Sequence, residues 1–235
     1  MNKRQQNLLE IIIAEYIKTA EPVSSKFISQ AGNFDLSSAT IRNEMAELED
    51  QGYIFHPHTS AGRVPTEKGY RFFVENYIAD FALNKRAKDC LDKVLKPLKY
   101  FEPQAVKELA KEMAELSGGA VLIAFSDNNF YYTGLANLFS QPEFIEHRLV
   151  ASLSRVIDHL DRVINKIYKE IDSEVKIDIG RRNPFAQDCS SVLTRFQCQK
   201  QAGILGILGP IRMDYKNNAG LVGYSRQLIE NLGSR

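Results

Sequence analysis

Residues 37–66, SSATIRNEMAELEDQGYIFHPHTSAGRVPT, change their periodicity once, and the fold of the N-terminal third turns on that change. Up to Asp50 the apolar residues Ile41, Met45 and Leu48 fall on one helical stripe. Ser37 stands where an N-cap is wanted, and Gly52 where a left-handed C-terminal residue is wanted. Tyr53, Ile54 and Phe55 then have strand propensity, residues 63–65 can return as a second strand, and HTSAG supplies the turn between them. Pro57 and Pro65 have no amide to donate, so such a ribbon is short and lies at a sheet edge.

Working outward from this stretch, Leu8, Leu9, Ile12, Ile13, Tyr16 and Ile17 recur at the 3.6 period and predict a helix that stops near Thr19, before Pro22. A second, short helix fits 24–31, capped by Ser24, with Phe27, Ile28 and Ala31 inward and Gly32 ending it. After the ribbon, Thr66 can cap a helix whose Tyr70, Phe73, Val74, Tyr77, Ile78 and Phe81 share one side. Three helices followed by a two-stranded ribbon are the order of a winged helix-turn-helix domain, assigned to residues 1–83.

Residues 84–116 are Lys-rich and helical in pattern, interrupted by Pro97 and Pro103, and read as a jointed helical linker. Residues 117–235 alternate strand and helix patterns. GGAVLIAFSD and FYYTGLANL read as adjacent strands, 142–170 as one long helix striped by Ile145, Leu149, Leu153, Val156, Leu160, Val163 and Ile167, and VKIDIG, SSVLTRFQC and AGILGILGP as further strands before a helix over 219–232. The expectation is an α+β fold with an antiparallel sheet.

Composition narrows the function classes. The 235 residues are 44% hydrophobic and 25% charged with a net charge of +1, which places the chain among globular proteins. Cys90, Cys189 and Cys198 form no CxxC pair, so neither a disulfide framework nor a zinc ribbon is indicated. The apolar N-terminal patch is broken by Glu10, Glu15 and Lys18, which argues against a signal peptide or a membrane span, and a cytoplasmic location is expected. Residues 1–80 hold 8 Lys plus Arg against 11 Asp plus Glu, a balance of −3, so a DNA surface there must gather its positive charge on one face.

Turning Ile41, Met45 and Leu48 inward leaves Ala39, Thr40, Arg42, Asn43 and Ala46 on the flank and outer face. Small residues allow close approach, Arg can pair with guanine, Asn with adenine, and the amides at Ser37 and Ser38 can meet phosphates. On the ribbon the expected DNA contacts are His58, Thr59, Ser60, Gly62 and Arg63, with Arg63 entering a minor groove. The bland alternatives are a solvated helix face and an Arg63 that stiffens the ribbon by pairing with an acid such as Glu67. His56 and His58 fall short of the three or four ligands that zinc takes, and no metal or cofactor is expected. Cys189 with His147 or His159, and the glycine and arginines at 180–182, make no motif with a role for each part, so no enzyme is expected.

The stretch SSATIRNEMAELEDQGYIFHPHTSAGRVPTEKGYRFFVENYI closely resembles the signature of the heat-inducible transcription repressor family, the HrcA type. RQQNLLEIIIAEYIKTAEPVSSK, GLANLFSQPEF and LGILGPIRMDYKNNAGLVGYSRQLIENL resemble its other landmarks, so the likeness covers nearly the whole chain. The resemblance implies a GAF-like second domain and repression of chaperonin and other heat-shock genes through an inverted-repeat operator in double-stranded DNA. It also implies dependence on the chaperonin for the active fold. Family members typically carry an inserted dimerisation domain between the segments matching GGAVLIAFSD and FYYTGLANL, where this chain has only NN. A homodimer is still expected, through either the helix over 142–170 or the helices of 84–116, because such readers usually need two half-sites. The alternative is a regulator that senses a small ligand through its GAF-like domain.

Overall fold

The computed structural model describes residues 1–31, 36–58, 61–78, 83–126 and 129–232. The chain divides into two compact units, Met1–Ala79 and Asp80–Arg235. In the first, α1 (Lys3–Thr19), α2 (Ser25–Gln30) and α3 (Ser38–Asp50) precede the antiparallel strands β1 (Ile54–Phe55) and β2 (Val64–Pro65) and the helix α4 (Glu67–Tyr77). Each cap read from the sequence is in place: the Ser24, Ser37 and Thr66 hydroxyls accept the N–H groups of Phe27, Thr40 and Gly69, each at 3.1 Å. Gly52 takes φ +75°, a conformation nearly free for glycine and costly for other residues. Leu8, Leu9, Ile12 and Ile13 of α1 are almost wholly buried, as are Ile28, Ile41, Leu48, Ile54 and Tyr70, and α1 packs on α3, β2 and α4.

Only Ile28 holds the inward face expected of the second helix; Phe27 is 42% exposed and Ala31 lies at the surface. Six residues make less than two turns, so only a narrow stripe can reach a core already filled by α1 and α3. Tyr70 of α4 and Ile78 just after it are buried, Phe73, Val74 and Tyr77 half-buried; Gly32 and Phe81 lie outside the described residues.

The second unit is built on a five-stranded antiparallel sheet, order β4-β3-β7-β6-β5, from β3 (Ala120–Ala124), β4 (Phe130–Thr133), β5 (Lys176–Ile179), β6 (Cys189–Cys198) and β7 (Gln201–Pro210). Leu122 and Ala124 of β3 join a cluster with Leu160, Ile164, Ile167, Phe185 and Leu193. Val121 and Ile123 point the other way along the strand and are equally buried, so both faces of the sheet are covered. The covering helices are α6 (Pro103–Ser117), α8 (His147–Asp158), α9 (Leu160–Ile167) and α10 (Tyr215–Glu230). No described helix is long and apolar enough to cross a membrane.

Three expectations change here. GLANL is not strand: Gly134 at φ +79° ends β4 and starts the short helix α7 (Leu135–Phe139). The helix over 142–170 is a 3-10 turn at Pro142–Ile145, then α8, then α9 after a break at His159. The break has a packing cause. Leu153 belongs to a cluster with Leu138, Phe144 and Cys189, whereas Leu160, Ile164 and Ile167 belong to the one on Leu122 and Leu193, and the chain bends to serve both.

Residues 84–116, read as a linker, instead pack into the second unit through α5 (Lys85–Leu95) and α6. Leu91, Leu95, Val106, Leu109 and Met113 are buried to within 1%, and the Tyr224 hydroxyl of α10 donates to Asp92 Oδ1 of α5 at 2.7 Å. Burial together with that bond and the Asp92 and Asp89 charges pushes the Tyr224 phenol up to about 12. The lysines lie on the outer face and so mask, in composition, a helix that is half core. Leu91→Ala is therefore expected to lower stability to urea by about 2–5 kcal/mol, the cost of a buried cavity; an exposed linker helix would lose about 0.5 kcal/mol or less.

Candidate nucleic-acid interface

On α3, Ile41, Met45 and Leu48 are buried and Ala39, Arg42, Asn43 and Ala46 are exposed, the division expected from 100° per residue. Three of the four acids of the same helix are engaged within the protein, while Asp50, its last residue, is exposed. Glu44, 6% exposed, meets Arg4 of α1; Glu47 Oε2 accepts from Gln5 Nε2 at 2.6 Å; Glu49 binds the ribbon. Among the described residues no ion pair holds Arg42, so it stands as a free cation beside Asn43.

Ser37, Ser38 and Thr40 hold structure as well as the helix entrance. Ser37 Oγ caps Thr40 N–H and lies 2.9 Å from Thr40 Oγ1, and Ser38 Oγ lies 3.1 Å from Ser25 Oγ, pinning α2 to α3. Gln5 completes a capping box with Asn2 at the start of α1 while holding Glu47, a role its sequence position does not announce.

The ribbon is bolted to α3 through one carboxylate. Glu49 Oε1 accepts from the His56 N–H at 3.0 Å and lies 2.8 Å from His56 Nδ1, and Glu49 Oε2 pairs with an Arg63 terminal nitrogen at 2.9 Å. A second Arg63 nitrogen meets His56 Nε2. His56 follows β1 and Arg63 precedes β2, so both arms are tied to the same side chain. Arg63 also pairs through its backbone with Val23, N–H to carbonyl at 2.8 and 2.9 Å in the two directions. Gly62 is required by that approach, since a Cβ there would lie 2.4 Å from the Val23 carbonyl carbon and oxygen. Burial pushes the Glu49 carboxyl up, but the His56 hydrogen bond and the Arg63 charge outweigh it and leave it below the ordinary carboxylate value.

Arg63 is thus 9% exposed and engaged at its side chain and backbone, which corrects the expectation of an arm free to enter a minor groove. The stiffening reading describes it better, with Glu49 as the acid; Glu67 pairs instead with Arg71. His58 is exposed at the ribbon tip, and Thr59 and Ser60 lie outside the described residues. Glu49, Val23 and the α2 entrance at Ser24 and Ser25 were not legible as site residues, because Glu49 and His56 lie on either side of the end of α3 at Asp50, where no single periodicity relates them. Between α2, α3 and the ribbon runs a groove of ≈ 470 Å³, lined among others by Ser24, Ser25, Arg42, His56, Gly62 and Arg63.

In the second unit Cys189 lies in the apolar cluster with Phe144 and Leu153, and burial, with the Asp188 and Glu143 charges, pushes its thiol up to about 12. A thiol held there is not a nucleophile near neutral pH. A cavity of ≈ 30 Å³ between the sheet and α8 and α9 is walled by apolar side chains such as Leu122, Val156 and Phe185, beside Tyr132, with room for about one water.

Architecture defines the class first: a two-unit α+β protein, helix-and-ribbon in one unit and a five-stranded antiparallel sheet in the other. A crystal structure of a hypothetical protein has the same fold, with TM-score 0.80 at 20% identity, over 100% of this chain and 99% of that one. The family described as HrcA protein C terminal domain matches residues 72–218, and the chain belongs to the HrcA family. The Heat-inducible transcription repressor HrcA of Chlorobium phaeobacteroides is 27% identical over 337 positions, covering 95% of this chain and 96% of that protein. The protein of the same name from Natranaerobius thermophilus is 47% identical over 124 residues, 52% of this chain but only 36% of that relative's length. The Chlorobium alignment has 102 more positions than this chain has residues, so that relative carries segments absent here. At the place where the resemblance puts an insertion, Phe125 just after β3 donates its N–H to the carbonyl of Asn129 just before β4 at 2.7 Å.

Two outcomes follow from the bolt. Gly62→Ala should cost about 1–3 kcal/mol through the overpacked approach to Val23, read by chemical unfolding. A lowered folded-state value means that Glu49 stabilises above the ordinary carboxylate range and loses that contribution as pH falls through its folded value. An acid titration of stability should therefore flatten in Glu49→Gln below about pH 4.5.

Proposed function

We propose that this chain is a DNA-binding transcription repressor of heat-shock genes, with its first unit acting as a winged helix-turn-helix and α3 lying in the major groove. The observation that carries the reading is the disposal of charge on α3. Its acids at 44, 47 and 49 are turned to partners in the protein, leaving Arg42 and Asn43 exposed together between the small residues Ala39 and Ala46. This is how a segment with a balance of −3 can still present a positive face to a phosphate-lined groove. Membership of the HrcA family supports heat-inducible repression, as its relatives are named. Ser37 and Ser38 at the helix start, with His58 and the tip at Thr59 and Ser60, are the proposed backbone contacts. Arg63 and Gly62 serve by holding the ribbon in place.

The second unit is proposed to be GAF-like, with the chaperonin as the partner that maintains the active fold and an inverted-repeat operator bound by a homodimer. Of the two candidate dimer surfaces, α5 and α6 have their apolar faces spent in their own unit. The segment around α8 is less committed: Leu153 is its one buried residue and Ile145, just before it, is 82% exposed. That favours α8 as the dimer surface.

Binding to duplex DNA from upstream of the organism's chaperonin genes, followed by gel shift, tests the reading. Asn43→Ala should relax sequence choice by about 1–3 kcal/mol at one base step, while Arg63→Ala should weaken all sequences alike by loosening the ribbon. Equal binding to these and unrelated duplexes by the unaltered protein would refute operator recognition. In sedimentation at micromolar concentration the chain should run as a dimer, and Ile145→Lys as a monomer; a monomeric unaltered chain, with and without DNA, overturns the dimer.

A further inference from the structure

The groove between α3 and the ribbon has a chemical character that base reading does not use. Of its side chains, Arg42 and Arg63 are cationic and His56, Ser24 and Ser25 are polar. Glu49 offsets the charge of Arg63, and among the described residues no acid offsets that of Arg42, which lines the same groove. The geometry points to a seat for one DNA backbone phosphate in this groove, with Arg42 as its clamp rather than a reader of guanine.

The inference rests on the proposed DNA-binding function and sharpens it. If α3 occupies a major groove and the ribbon reaches toward the neighbouring minor groove, the strand separating the two grooves must cross between α3 and the ribbon. The ≈ 470 Å³ groove lies at that crossing and has room for a phosphodiester with part of its sugars. A guanidinium can meet two phosphate oxygens at once through charge-assisted bonds. Arg63, tied to Glu49 and His56, forms the fixed wall, and Arg42, exposed and without an ion pair among the described residues, is the arm able to close on the ligand. Phosphate contacts set position and register without carrying sequence, so specificity passes to Asn43 and its small neighbours.

The test uses the full chain and the duplex found by gel shift, with uncharged methylphosphonate linkages placed one at a time along a half-site. Neutralising the seated phosphate should weaken the unaltered protein about tenfold, the worth of a hydrogen bond to a charged group. The same linkage should weaken Arg42→Ala less than about twofold, because the partner is already gone. Arg42→Ala should also bind every duplex more weakly and lower the slope of log affinity against log salt by about 0.9 for each phosphate released; Arg42→Lys should recover part of both. The phosphate seat is overturned if the two changes weaken binding independently, or if Arg42→Ala alters discrimination at one base pair with the salt slope unchanged. Failure of the unaltered protein to bind any duplex would sink the DNA-binding function itself, and the seat with it.

Discussion

Glu49 is the point on which the first unit's exposed surface depends. One carboxylate, carried on the last turn of α3, receives the backbone and ring of His56 and the guanidinium of Arg63, and these two residues flank the turn of the ribbon. A ribbon of two-residue strands has little ladder of its own to hold it. It stays in place because its ends are fastened to the helix and, through the Val23 bridge, to the segment before α2. The groove beside α3 exists only while that fastening holds.

The same economy explains how an acidic segment can face a polyanion. Charges that sum to −3 over residues 1–80 are not spread evenly: three of the four acids of α3, Glu44, Glu47 and Glu49, sit where Arg4, Gln5, His56 and Arg63 can take them up. These pairs contribute modestly to stability where they are exposed. Their larger effect is to draw Glu44, Glu47 and Glu49 away from Arg42 and Asn43, leaving only the exposed Asp50 among the acids of α3 at the far end of that face. Net charge alone would have argued against the function that the charge arrangement favours.

In the second unit the governing constraint is a sheet buried on both faces. Every residue of β3 is buried, so helices must lie on each side, and α5 and α6 are drawn in rather than left as a tether. The bend at His159 follows from the same demand, since two apolar clusters on the sheet must each receive side chains from one helical segment.

By itself the sequence determined the elements that rest on local physics: the caps at Ser24, Ser37 and Thr66, the turn at Gly52, the stripe of α3, the two-stranded ribbon and the five antiparallel strands. Caps, periodicity and turn chemistry act over a few residues and are written in a few residues. The motif run from 37 to 78 also carried the family, through residues whose individual roles it left open. Only the tertiary structure decided that Arg63 is a structural tie with Glu49 as its acid, that Phe27 faces out, that the helix over 142–170 bends and that the supposed linker is core. Each depends on a partner distant in the chain, such as Val23 for Arg63, Tyr224 for Asp92 and Leu193 for Leu160. Local spacing can place a charged or apolar side chain on a face, but which group it meets there is set by the packing of whole elements.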